Sequence, residues 1–183
     1  VAVASAVAHL GLSEAMVVTA VLHNVYGNGD FGDGLRYTIS PARRARVRAR
    51  VGVDVEERLV RFFHSRLRDA RTEALEVEHM SESDRELLLL DLADHFEKYA
   101  DGALAYYGDF QWIRDFDEPH AEWLQDLAAR LGHPEFGQQL SAAMREQRLW
   151  LDRVPPSLRT AGGQKYMQLR MPGSCERKAS LRR

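Results

Sequence analysis

The chain contains very little cysteine, very little lysine and no long apolar run, and each shortage excludes something. Of its 183 residues only Cys175 carries a thiol. One thiol cannot build an internal disulfide framework, and a reducing cytoplasm is the expected location. Nothing approaches the roughly 18 consecutive apolar residues of a membrane span, so no membrane partner is expected. The opening residues 1–12 are apolar but lack a basic flank and a cleavage site. They read as the last turns of a core helix, not as a signal peptide. Neither sign of charge dominates. The 25 Lys and Arg against 27 Asp and Glu leave a net charge of −2, with no global attraction for nucleic acid. Lysine occurs only at Lys98, Lys165 and Lys178, and the bias to arginine, with abundant alanine, points to a GC-rich bacterial genome.

What is present reads as helices. A composition of 45% hydrophobic and 28% charged residues is that of a globular protein with a substantial core. Segments of roughly 10 to 20 residues show helical periodicity and caps, and no useful strand alternation occurs. The expectation is an all-α fold of about six to seven helices in one domain over 1–154, with 155–183 a disordered basic tail. Ser13 caps a helix that runs to Gly27 and is apolar on nearly every face, hence buried. Gly27, Gly29, Gly32 and Gly34 then make a turn or a lid. Ser40-Pro41 opens a helix whose Arg43, Arg44, Arg46, Arg48 and Arg50 read as a solvated face paired with glutamates, since no aromatic residue interleaves them. The capping box Asp54-Val55-Glu56-Glu57 opens another helix, through Leu59, Phe62 and Phe63. Ser81 or Ser83 caps the next. After Tyr106, Tyr107, Phe110 and Trp112, which wall a pocket or pack as a connector, Glu118-Pro119 opens a helix to Leu131. Gly132-His133-Pro134 breaks it before a last helix to Leu151.

Two polar positions interrupt these apolar segments. His23-Asn24 ends the run Ala15-Met16-Val17-Val18-Thr19-Ala20-Val21-Leu22. Asp94 lies in Leu87-Leu88-Leu89-Leu90-Asp91-Leu92-Ala93-Asp94-His95. Asp91, Asp94, His95 and Lys98 fall at i, i+3, i+4 and i+7, on one stripe beside Leu88, Leu92, Phe96 and Tyr99. Burying a carboxylate unpaired costs several kcal/mol, so Asp94 needs a partner. Lys98, the His23-Asn24 pair and a metal ion are all open to it. His23-Asn24 reads equally as a hydrogen-bonded pair closing its helix.

In this order the pieces resemble the HD-domain superfamily of metal-dependent phosphohydrolases, in particular the hydrolase half of the bacterial RelA/SpoT alarmone synthetase/hydrolases. The resemblance rests on Val1-Ala2, Val21-Leu22-His23-Asn24-Val25-Tyr26, the helix from Val51-Gly52-Val53-Asp54-Val55 to Leu59-Val60, and Leu92-Ala93-Asp94, over about residues 1 to 100. It implies an HD-like helical bundle with His23 and Asp94 as catalytic residues or metal ligands, and Asn24 in place of the bridging aspartate. Asn24, Tyr26, Asp91, His95, Lys98 and Tyr106 would line the pocket. Gly27 and Asn28 fall where the family's water-activating Glu-Asp pair belongs, and its first histidine would precede Val1. The HD-type di-iron oxygenases imply His64 and His79 as further ligands.

A hard divalent cation such as manganese or iron wants anionic oxygen, which an amide does not supply. The expected function is therefore an enzyme acting on a small molecule, a nucleotide or secondary metabolite, with an altered or lost metal site and no alarmone hydrolysis. His23 and Asp94 would then serve as an acid/base pair without metal. Alternatives are a non-catalytic ligand-binding or regulatory module and a metal-dependent oxygenase. A small-molecule ligand is the expected partner, nucleic acid is not, and oligomerisation is open.

Overall fold

The computed structural model describes residues 2–35, 37–64, 76–100, 117–150 and 153. Tyr106, the aromatic segment around it and the expected tail 155–183 lie outside the described residues. Helix is the regular structure throughout, with no strand among the described residues, as the periodicity leads one to expect. Backbone contacts divide the described chain after Ala2 into two compact units, residues 3–64 and residues 76–153.

The first unit holds α1 (Ala2–His9), α2 (Glu14–Leu22), α3 (Val25–Asn28) and α4 (Pro41–His64). Ser13 caps α2 as expected, its hydroxyl accepting from the Met16 amide at 3.3 Å. The helix does not run unbroken to Gly27. It stops at Leu22, and α3 restarts at Val25. His23 explains the interruption: its Nδ1 engages the Ala20 carbonyl at 2.7 Å, the acceptor that the next helical turn would use. Nor is α2 buried on every face. Met16, Thr19 and Ala20 are inside, while Val21 is 59% exposed. The core gathers Tyr26, Val47, Val55 and Leu59, with Val18, Leu22, Phe31 and Phe63 packed around them.

α4 is two helices joined at Gly52, whose φ of 84° and ψ of 169° are not helical. Twelve residues of straight helix would separate Arg44 from Glu56 by about 18 Å. Their side chains instead meet at 2.6 Å, so the chain folds back on itself at the glycine. The two helices read from Ser40-Pro41 and from 54–57 are thus both present, with the joint just before Asp54. An added Cβ at Gly52 would meet nothing within 4 Å, so a substitution there is resisted by the backbone alone. That region of φ/ψ is nearly closed to other residues and costs about 1–3 kcal/mol. Gly52→Ala is expected to lower the stability of this unit by that amount in a urea titration. A neutral result would mean that the joint relaxes without cost.

The second unit holds a 3₁₀ turn (Val77–His79), α5 (Glu82–Ala100), α6 (Glu118–Arg130) and α7 (Pro134–Trp150). Ser81, not Ser83, caps α5: its hydroxyl accepts from the Asp84 amide at 3.2 Å. Asp117 caps α6, accepting from the His120 amide at 2.6 Å. Gly132 (φ 93°) and Pro134 separate α6 from α7, where the sequence places the break. The two helices approach closely at Gly137, where a Cβ would come within 2.6 Å of the Gln125 carbonyl. Ser141 Oγ donates to Gln125 Oε1 at 2.7 Å across the same contact. α7 also packs on α5, with Phe96 and Phe136 edge to face at 5.4 Å.

Candidate functional site

His23 and Asn24 meet each other. Asn24 Nδ2 lies 2.7 Å from His23 Nε2, and His23 Nδ1 lies 2.7 Å from the Ala20 carbonyl. A carbonyl only accepts, so Nδ1 carries the proton. In the neutral ring Nε2 is then a bare acceptor, and the Asn24 amide must present its NH₂ group to it. While the ring keeps this pose, the Ala20 carbonyl selects the tautomer of the imidazole and the Asn24 amide faces the bare nitrogen. Phe62, on the second half of α4, packs edge to face against the His23 ring at 5.8 Å.

Tyr26, two residues beyond Asn24, is buried and donates to Glu56 Oε1 at 2.7 Å. Glu56 is 0% exposed yet charged, and its partners explain how. Arg44 binds it in a fork, Nε to Oε1 at 2.6 Å and Nη2 to Oε2 at 2.8 Å, and Arg48 Nε reaches Oε2 at 2.7 Å. Four donors fill the carboxylate's acceptor positions. The Arg44 hydrogen bonds, reinforced by Tyr26 and Arg48, hold the Glu56 carboxyl at about 2 against the burial that opposes its charge. Burial, then the bond to Glu56, pushes the Tyr26 hydroxyl well above its ordinary value.

A second cluster lies in the glycine-rich loop. Arg43 is 2% exposed. It pairs with Asp33 through Nε at 2.7 Å and through Nη2, and also donates to the Thr38 carbonyl at 2.9 Å and the Leu35 carbonyl at 2.7 Å. Its guanidinium lies over the Phe31 ring, 4.4 Å from the centroid. Arg43 and then the Leu35 amide hold Asp33 far below the usual carboxylate range. The expected solvated arginine face is therefore corrected in part. Arg44 and Arg48 do pair with a glutamate, but Arg43 turns inward. The segment expected to be a loose turn is clamped at Asp33, Leu35 and Thr38.

The α5 stripe belongs to the second unit. Residues 87–94 are buried throughout, Asp94 to 2% exposure. Lys98 Nζ donates to Asp94 Oδ2 at 2.6 Å, the lysine partner anticipated from the spacing. His95 Nδ1 lies 2.9 Å from the Asp91 carbonyl, while the Asp91 carboxylate stays 3.7 Å away. The backbone oxygen again fixes the tautomer, leaving Nε2 as the acceptor.

The donor chemistry fits a hard divalent cation poorly. Nε2 of His23 already accepts a hydrogen bond, Asn24 is neutral, and Asp94 carries the charge of Lys98. His64 and His79 are both exposed, and His79 sits against Glu76 at 3.2 Å. Among the described residues no three His, Cys, Asp or Glu side chains gather where they could hold a metal.

The sequence did not reveal the Glu56 and Asp33 clusters. Their spacings of 8, 10 and 12 residues obey no rule of a single helix. Gly52 and the helix start read at 54–57 are the signals that the chain breaks between Arg44 and Glu56.

No protein-family model matches the chain, and no curated protein or solved structure does so at a significant level.

Proposed function

We propose that the chain is a small-molecule-binding domain with the outline of an HD-type site, in which metal-dependent phosphohydrolysis has been given up and His23 works without a metal. The observation that carries this reading is the 2.7 Å contact of Asn24 Nδ2 with His23 Nε2. An amide now occupies the lone pair that a metal would need. A ligand hydroxyl or amine can displace that amide, donate to Nε2 and receive a hydrogen bond from Asn24 in turn. If the bound group is acidic enough, the same nitrogen is a general base, with the Ala20 carbonyl steadying the Nδ1 proton. Gly27 and Asn28 supply no second base.

Purified full-length protein is expected to hold no stoichiometric manganese or iron, and chelator is expected to leave its melting temperature unchanged. Guanosine tetraphosphate should not be hydrolysed in added manganese, because the absent general base alone is typically worth 10²–10⁴-fold. Turnover appearing only in Asn24→Asp would support HD ancestry with lost hydrolysis. Robust turnover by the unaltered protein, or tightly held metal, would overturn the proposal. A ligand found by thermal-shift screening should lose its effect in His23→Ala.

A further inference from the structure

We infer that Glu56 is the positioning residue of the His23-Asn24 pair, holding it from both sides through Tyr26 and Phe62. The inference rests on the reading of His23 as the functional group of this unit, but its test reads the unliganded protein.

The geometry is contained within residues 20–62. Glu56 ties three pieces of chain together: α3 through Tyr26, the first half of α4 through Arg44 and Arg48, and the second half of α4, on which it lies. Each route leads to the pair in a short step. Along α3, Tyr26 is two residues from Asn24, so fixing the phenol fixes the turn that aims the amide at Nε2. Along α4, Phe62 is six residues from Glu56 on the same helical half, and its ring packs against the imidazole at 5.8 Å. The amide and the aromatic wall of His23 are therefore both referred to one carboxylate.

A buried charge is a weak way to gain stability, since a well-packed apolar residue often does as well or better. It is a strong way to fix direction, because four hydrogen bonds must be satisfied at once. The chain could have filled this core position with leucine. It places there the one group that binds a tyrosine and two arginines from separate segments.

The test is nitrogen-15 NMR of the histidine side chains in the full chain, at alkaline pH where the rings are neutral. In the unaltered protein His23 should show one tautomer, protonated at Nδ1, with Nε2 as acceptor. In Glu56→Gln its ring nitrogens should move toward averaged values as both tautomers become populated. His120 and His133, in the other unit, should keep their shifts and serve as internal controls for folding. Should Glu56→Gln fail to fold, Tyr26→Phe decides, since it removes only the hydroxyl from the carboxylate and leaves both arginines in place. Movement confined to His23 in a folded variant supports the inference. An unmoved His23 in a folded variant overturns it, whatever the ligand screen finds.

Discussion

Acid is expected to weaken the 3–64 unit through its two depressed carboxylates, Asp33 and the fully buried Glu56. Glu56 is held at about 2 in the folded chain against an ordinary 4.5, chiefly by its hydrogen bonds to Arg44. A depressed folded value means that the unfolded chain binds the proton more readily. The contribution of Glu56 is therefore complete above about 4.5 and is lost as the pH falls toward about 2. Its size is on the order of 3 kcal/mol, a large share of the stability of a small unit. Glu56→Gln should remove this contribution at neutral pH and flatten the acid limb over the same window. Hydrogen exchange resolved by peptide is the measurement, because it separates residues 41–64 from α5–α7. An acid limb as steep in the variant as in the parent would show that other carboxylates carry it.

The second large effect belongs to the other unit. Leu90 is 0% exposed in α5, within a stretch buried from Leu87 to Asp94. Leu90→Ala removes three carbons and leaves a cavity that rigid helices close only in part. A loss of about 3–5 kcal/mol is expected, at the upper end of such substitutions. Exposed Val21 in α2 is the control, since Val21→Ala should change stability by no more than about 0.5 kcal/mol. The same exchange measurement checks both. A Leu90→Ala loss near 1 kcal/mol would mean that α5 repacks freely.

How much of this was legible beforehand depended on the range of each interaction. The cap at Ser13, a serine cap at 81 or 83, the opening at Glu118-Pro119 and the stop at Gly132-His133-Pro134 are written within three or four residues of where they act. So is the Asp94–Lys98 pair, a direct consequence of helical periodicity. The break at His23 is not written in the helical pattern, because it comes from the bond of the His23 side chain to the Ala20 carbonyl. The inward course of Arg43 was missed for a different reason. Its partners Asp33, Leu35 and Thr38 come from a loop, where sequence periodicity says nothing about direction. Of the expected site, the contact between His23 and Asn24 follows from adjacency. The carboxylate beneath Tyr26 needed the fold.

The joint at Gly52 also bears on the order in which the chain can assemble. Arg48 and Arg44 lie only 8 and 12 residues from Glu56, whereas Tyr26 lies 30 residues away. Closing the longer loop costs roughly 0.8 kcal/mol more in chain entropy than closing the 12-residue one, since the cost grows with the logarithm of loop length. Chain entropy therefore favours the glutamate meeting its arginines before its tyrosine. In that order the hairpin of α4 forms with its charges neutralised, and α3 docks onto a carboxylate that has one hydrogen bond left to accept.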